Sequence, residues 1–228
     1  LPLKINMNEE SDEKPNWVII GTANEFFSSM GFRRVKELGK GGFGTVILVE
    51  KCISLHGLDP AVVKAAKSVD SNFAYFQMAC KLFKLPDNEK RQSRKLFESL
   101  RAELYVLQGL RGKCPFVIEY YEHYVIRDKG FMTAHIFMEV ADAGSVASEV
   151  SKKGPLPVEL ARRYFTEMVK GLEFLHRNQI AHNDFKLDNV LLVSDQMQLK
   201  VKHCKLTDFG MSRFAWKDGA GKVANDFV

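Results

Sequence analysis

An acid, a cation and an amide stand close together in His182-Asn183-Asp184-Phe185-Lys186-Leu187-Asp188-Asn189. Held in a tight loop, side chains at this spacing can converge. Asp184 can then accept a hydroxyl proton, Lys186 can balance charge on a transferring phosphoryl group, and Asn189 can ligate Mg²⁺ through its amide oxygen. A second acid, Asp208, follows in Leu206-Thr207-Asp208-Phe209-Gly210, where Phe can anchor by packing and Gly permits a sharp turn. A β-hairpin of residues 190–193 and 201–206 would bring Asn189 and Asp208 together. Two such oxygen donors suit Mg²⁺ far better than zinc.

Further upstream, Gly39-Lys40-Gly41-Gly42-Phe43-Gly44-Thr45-Val46 lies between two strand-like runs. Glycines there would let backbone N–H groups approach phosphate oxygens closely. A dinucleotide-binding βαβ unit would need a helix straight after the glycines, and here a strand follows, which excludes that reading. A second carboxylate also has a task. At 100° per residue, Leu96, Leu100, Glu103, Leu107 and Leu110 share one helix face, so Glu103 stands inside an apolar stripe and calls for a cation. Lys64 and Lys67, on a strand expected over residues 62–69, are both candidates. Strand alternation favours Lys67, which shares a face with the small Ala65, a residue able to lie flat against a purine ring.

These groups need a scaffold of strands first and helices second. Residues 1–16 are polar, carry the acidic cluster around Glu9 to Glu13 and end near Pro15, which suits a solvated leader. Short β-rich runs at residues 34–38, 45–49 and 62–69 have the look of an antiparallel meander. A helical pattern covers residues 91–110, and strand-like runs return at 117–124 and 135–140. After Pro157 a helix is predicted with Phe165, Met168, Leu172 and Leu175 on one stripe up to His176. Residues 51–61 and 68–91 read as surface insertions. The predicted organisation is a leader over 1–31, a strand-rich lobe over 32–140 and the beginning of a helical lobe over 141–228.

Bulk properties narrow the field. The chain has 228 residues, 46% apolar and 27% charged, with a formal charge of +5. The basic residues are dispersed, so no nucleic acid partner is expected. Cys52, Cys80, Cys114 and Cys204 are widely separated and form no Cys-x-x-Cys pair, which argues against a disulfide framework or a zinc site. No apolar run reaches the roughly 18 residues that span a bilayer. A cytoplasmic location is the expectation for the chain as read from Leu1.

Taken together, over residues 32–213, these motifs resemble the eukaryotic protein kinase family, with its glycine-rich loop, strand lysine, helix glutamate, catalytic loop and Asp-Phe-Gly in order. The resemblance implies an α+β fold of two lobes, with a five-stranded antiparallel N-lobe, one main helix and an incomplete helical C-lobe. It implies that Gly39, Gly41 and Gly44 cover the phosphates of ATP, that Lys67 holds the α- and β-phosphates, and that Glu103 pairs with that lysine. By the same likeness Asp184 is the catalytic base, with Lys186 beside it, and Asn189 and Asp208 hold Mg²⁺. Leu38, Val46, Ala65 and Leu191 would sandwich the adenine, Met138 would be the gatekeeper, and the backbones of Glu139 and Ala141 would make the hinge contacts. Lys186, two places after Asp184, resembles the Ser/Thr branch and implies protein substrates. Small-molecule kinases of the aminoglycoside type generally lack that lysine. A nucleotide-binding scaffold without turnover is the rival class.

The sequence departs from the family in two further ways. Asn183 stands where Arg usually precedes the catalytic Asp, so no guanidinium is there to pair with a phosphorylated activation loop. The chain also stops without an Ala-Pro-Glu motif, which predicts a kinase domain truncated after the Asp-Phe-Gly segment.

Overall fold

A computed structural model describes residues 18–20, 23–41, 44–54, 67–68, 73–86, 91–128, 131–195, 201–214, 216–217 and 223–224. The chain divides into two compact units. One holds Trp17–Leu96 and Tyr120–Val140; the other holds Leu1–Asn16, Phe97–Glu119 and Ala141–Val228.

The first unit is built on one sheet. Its long strands are β2 (Phe32–Gly41), β3 (Gly44–Ser54), β5 (Phe73–Pro86), β6 (Tyr120–Asp128) and β7 (Phe131–Met138). They follow short β1 (Val18–Ile20) and enclose the two-residue β4 (Lys67–Ser68). The order across the sheet is β1-β6-β7-β5-β3-β2, with β4 pairing β5 off this path. The five long strands pair antiparallel, and β1 adds to β6 in parallel. Alternation along β3 and β5 sends Ile47, Val49, Met78 and Cys80 to one face. There they join Phe32, Ile126 and Phe137 in a buried core completed by Phe26 from helix α1 (Ala23–Ser29). Phe26 is 2% exposed and its ring lies 5.0 Å from Tyr124 and 5.3 Å from His135. Burying such a side chain contributes about 2–3 kcal/mol, enough to hold a seven-residue helix too short to persist alone.

Two expectations are corrected here. The second half of the proposed leader is part of this unit, since β1 and α1 supply an edge strand and a hydrophobic cap. Residues 68–91 are no insertion either: they contain β5, the strand between β3 and β7. Of the strand expected over 62–69, only Lys67 and Ser68 fall within the described residues, and they pair with Ala74 and Tyr75 near the start of β5. Lys64 and Ala65 lie outside the described residues, as do residues 1–16.

The second unit takes residues from Phe97 onward of helix α2 (Arg91–Leu110), then α3 (Val146–Lys153) and α4 (Val158–Arg177). Helix α3 starts at a reciprocal cap, in which the Ser145 hydroxyl accepts from the Ser148 N–H at 3.1 Å and the Ser148 hydroxyl accepts from the Ser145 N–H at 3.0 Å. Small antiparallel pairs follow: β8 (Ile180–Ala181) with β11 (Arg213–Phe214), and β9 (Val190–Ser194) with β10 (Lys202–Leu206). A last pair joins Trp216–Lys217 to Val223–Ala224. Helix α4 keeps Met168 and Leu175 of the predicted stripe inward but turns Phe165 out. Tyr164, Glu167, Met168, Gly171 and Leu175 are buried, whereas Phe165 is 67% exposed. The cause is polar. Glu167 accepts the Cys204 N–H at 2.7 Å, and the Tyr164 hydroxyl donates to buried Glu149 at 3.2 Å, so two side chains with distant partners fix the inward face.

Candidate active site

In the sheet unit, the face opposite the Phe26 core carries the candidate nucleotide contacts. Residues directly opposite in an antiparallel sheet point the same way. Val46 on β3, Lys81 on β5 and Ile136 on β7 form one row, and Leu48, Ala79 and Met138 form the next. Lys81 is 8% exposed, and its ammonium stands 4.9 Å from the centre of the Phe83 ring. Ala79-Cys80-Lys81 thus holds the face, beside Val46 and Met138, that was expected of Ala65 and Lys67. Lys67 instead lies on β4, opposite Tyr75. The repeated Ala-x-Lys pattern, preceded by the strand-formers Phe73, Tyr75 and Phe76, was the available clue.

The β2–β3 turn approaches β5 closely. A Cβ at Gly44 would collide with the Leu82 carbonyl, so only glycine fits where the strand leaves the turn. Gly39 and Gly41 pair with Val46 and Gly44 in the same hairpin. Leu38 is 41% exposed, and Met138 is buried ahead of half-buried Glu139.

In the second unit, the Asp184 loop is braced from several sides. The buried His182 donates through Nε2 to the Thr207 carbonyl at 3.0 Å, and its Nδ1 accepts from the Asp184 N–H at 3.4 Å. Burial lowers the pKa of this ring, which favours the neutral tautomer that both bonds require. The imidazole also packs 5.1 Å from the fully buried Phe209. The Ser212 hydroxyl donates to the His182 carbonyl at 3.4 Å, and the Asn183 amide reaches the Met211 carbonyl at 3.4 Å. Asn183 and Asp208 both adopt left-handed backbone, with φ of 60° and 63°. Asn and Asp tolerate that region better than most residues with a Cβ.

Within this frame the predicted groups meet. The Lys186 ammonium donates to Asp184 Oδ2 at 2.7 Å and Oδ1 at 3.0 Å. Asn189 Nδ2 donates to the Asp184 carbonyl and to its Oδ2, both at 2.9 Å. The Lys186 ammonium holds the Asp184 carboxyl below the usual carboxylate range against the opposing effect of burial, with a smaller contribution from the Asn189 amide. With its nitrogen committed to Asp184, the Asn189 amide is oriented so that its oxygen points elsewhere. The Thr207 N–H donates to the Asn189 carbonyl at 3.1 Å, which sets Asp208 one residue from Asn189's neighbour across the β9–β10 register. An amide oxygen and a carboxylate so placed fit a hard cation such as Mg²⁺. Leu191 lies on β9, bridged to Ser145, and the turn containing Ala141 is tied to β9 by the Ala143 N–H to the Leu192 carbonyl at 3.1 Å. Glu103 is 1% exposed on α2, among Leu100, Val106, Leu107 and Leu110, as its place in the apolar stripe predicts.

The family profile described as Protein kinase domain matches residues 32–227. The chain belongs to the protein kinase family. Among relatives of this kinase chain, human mitogen-activated protein kinase kinase kinase 3 is 29% identical over 184 residues, covering 81% of this chain and 24% of that protein. Calcium-dependent protein kinase 29 of Arabidopsis thaliana is 31% identical over 193 residues, covering 85% and 30%. The kinase chain spans between 12% and 33% of the length of the curated relatives it matches. Among its described residues no helix is long and apolar enough to cross a membrane.

Proposed function

We propose that the protein transfers the γ-phosphate of ATP to Ser or Thr hydroxyls of protein substrates. The observation that carries this reading is the convergence of Lys186 and Asn189 on the Asp184 carboxylate, with Asp208 next to the Asn189 strand pair. Gly39, Gly41 and Gly44 cover the phosphates, Lys81 rather than Lys67 neutralises them, and Val46 and Ala79 contact the base beside Met138; for Leu191 the adenine contact rests on the family likeness alone. Asn189 and Asp208 would hold Mg²⁺, which when bound would offset charge on the phosphates.

Asp184 accepts a hydrogen bond from the incoming hydroxyl and aligns its oxygen for attack. A carboxylate held this acidic is a weak base, so it orients the hydroxyl early and takes the proton late. Lys186 keeps that carboxylate ionised and adds positive charge where phosphoryl charge builds up. Its position two places after Asp184 supports Ser/Thr substrates through the family likeness.

The test is Mg²⁺-dependent transfer of radiolabelled γ-phosphate to a generic basic protein. Asp184→Asn should cost at least about 100-fold. Stabilisation by ATP with no transfer in the wild type would replace the reading with that of a nucleotide-binding scaffold.

A further inference from the structure

We propose that Ser99 is a positioning residue whose small side chain sets how closely helix α2 seats against the turn carrying Asp208. This rests on the reading of Asp208 as a cation ligand. A Cβ built on Gly210 would overlap the Ser99 hydroxyl oxygen, while its next neighbours, Ser99 Cβ and the Ser99 carbonyl, would be 3.6 Å away at ordinary contact. The collision therefore involves one atom. Gly210 is not left-handed, so alanine is conformationally acceptable there and only the contact opposes it.

The hydroxyl is itself unusual. Ser99 is 4% exposed, and its Oγ has no hydrogen-bond partner among the described residues. A helical serine commonly bonds back to a carbonyl one turn earlier. Here the oxygen fills the space against Gly210 instead, as a spacer.

Displacement at Gly210 must pass to Asp208, because Phe209 between them is fully buried against His182 and cannot absorb it. A second contact from the same helix, Tyr105 edge-on to Phe214 at 4.4 Å, holds the segment beyond the turn. The helix thus grips the metal-ligand turn from its far side, and the Ser99–Gly210 spacing is the narrow point.

The experiment is a size-swap cycle of Gly210→Ala, Ser99→Ala and the double variant. It reads Mn²⁺ affinity by the free-ion paramagnetic resonance signal in the presence of ATP, fluorescent-nucleotide binding without metal, and thermal unfolding. Gly210→Ala should weaken Mn²⁺ binding at least tenfold, leave metal-free nucleotide affinity within twofold, and lower Tm by about 5 °C. Ser99→Ala alone should bind Mn²⁺ as the wild type does, with an equal or higher Tm. The double variant should return to within threefold of wild type and regain the lost Tm.

Two results overturn the proposal: a Gly210→Ala variant that behaves as wild type, because the hydroxyl simply rotates away, or a double variant as impaired as Gly210→Ala. If the wild type binds no Mn²⁺, the cation reading falls, and the coupling in Tm still judges the spacing on its own.

Discussion

Acid should unfold this protein earlier than its carboxylates alone would dictate, and His135 is the reason. Its ring is fully buried between Phe26 and Phe27, at 5.3 Å from each. Nδ1 donates to the Thr133 carbonyl at 3.2 Å, while Nε2 has no partner among the described residues. Burial pushes the pKa down to about 4, from an ordinary 6.5. Above pH 6.5 the ring is neutral whether the chain is folded or unfolded, and it contributes no pH dependence. As the pH falls from 6.5 to 4, the unfolded chain takes up a proton that the folded chain refuses, so stability declines; below pH 4 both bind it and the loss saturates. At about 1.36 kcal/mol per pH unit across that gap, the full loss is about 3 kcal/mol, most of it incurred by pH 4.5. The half-buried His123 and the buried His182 also have lowered pKa values and add to the wild-type slope, so a variant is needed for the difference. His135→Phe keeps an aromatic ring in the cage and should lie within about 1.5 kcal/mol of wild type at pH 8. Urea unfolding followed by circular dichroism from pH 8 to 4.5 measures both proteins. The variant should gain about 2–3 kcal/mol on the wild type across the range. A difference that stays flat with pH would refute the reasoning.

Three other outcomes follow. Lys81→Met should reduce phosphoryl transfer at least about 100-fold, whereas Lys67→Met should stay within about threefold in the same steady-state assay; the reverse order would restore Lys67 as the phosphate-holding residue. Glu149 is 5% exposed and accepts from Lys153 at 2.7 Å, Lys202 at 3.1 Å and the Tyr164 hydroxyl. Glu149→Ala should therefore cost about 3 kcal/mol in chemical denaturation, and a cost below about 1 kcal/mol would show that the network is not structural. Because Asn183 replaces the usual arginine, activity measured before and after phosphatase treatment should differ little, and a large loss on treatment would contradict this.

What could be read from the sequence was whatever depends on local spacing. Helix α2 spans residues 91–110 as predicted, since a 3.6-residue period is written in consecutive residues and Glu103 falls inside it. The Asp184 loop is equally local: Lys186 and Asn189 reach Asp184 from two and five places away. Strand order is not local. Ala65-Ala66-Lys67 and Ala79-Cys80-Lys81 are equivalent as strings, and the pairing of the second with β3 and β7 is not written in either. On α4 the spacing placed Met168 and Leu175 inward, but the inward turn of Glu167 was hidden for the same reason, because it is held by Cys204, 37 residues on. Strand β1 was invisible too, since its partners at Val125 to Arg127 lie more than a hundred positions later.

The two left-handed residues beside the Asp184 loop set a trap for engineering. Glycine would relax the backbone at Asn183 and Asp208, where any side chain carries some strain. A library sorted only for survival of heat would therefore tend to accumulate Asn183→Gly and Asp208→Gly, and the second removes a carboxylate that the proposed chemistry needs. Heat tolerance and turnover should be selected together in this protein, because at Asp208 they reward opposite residues.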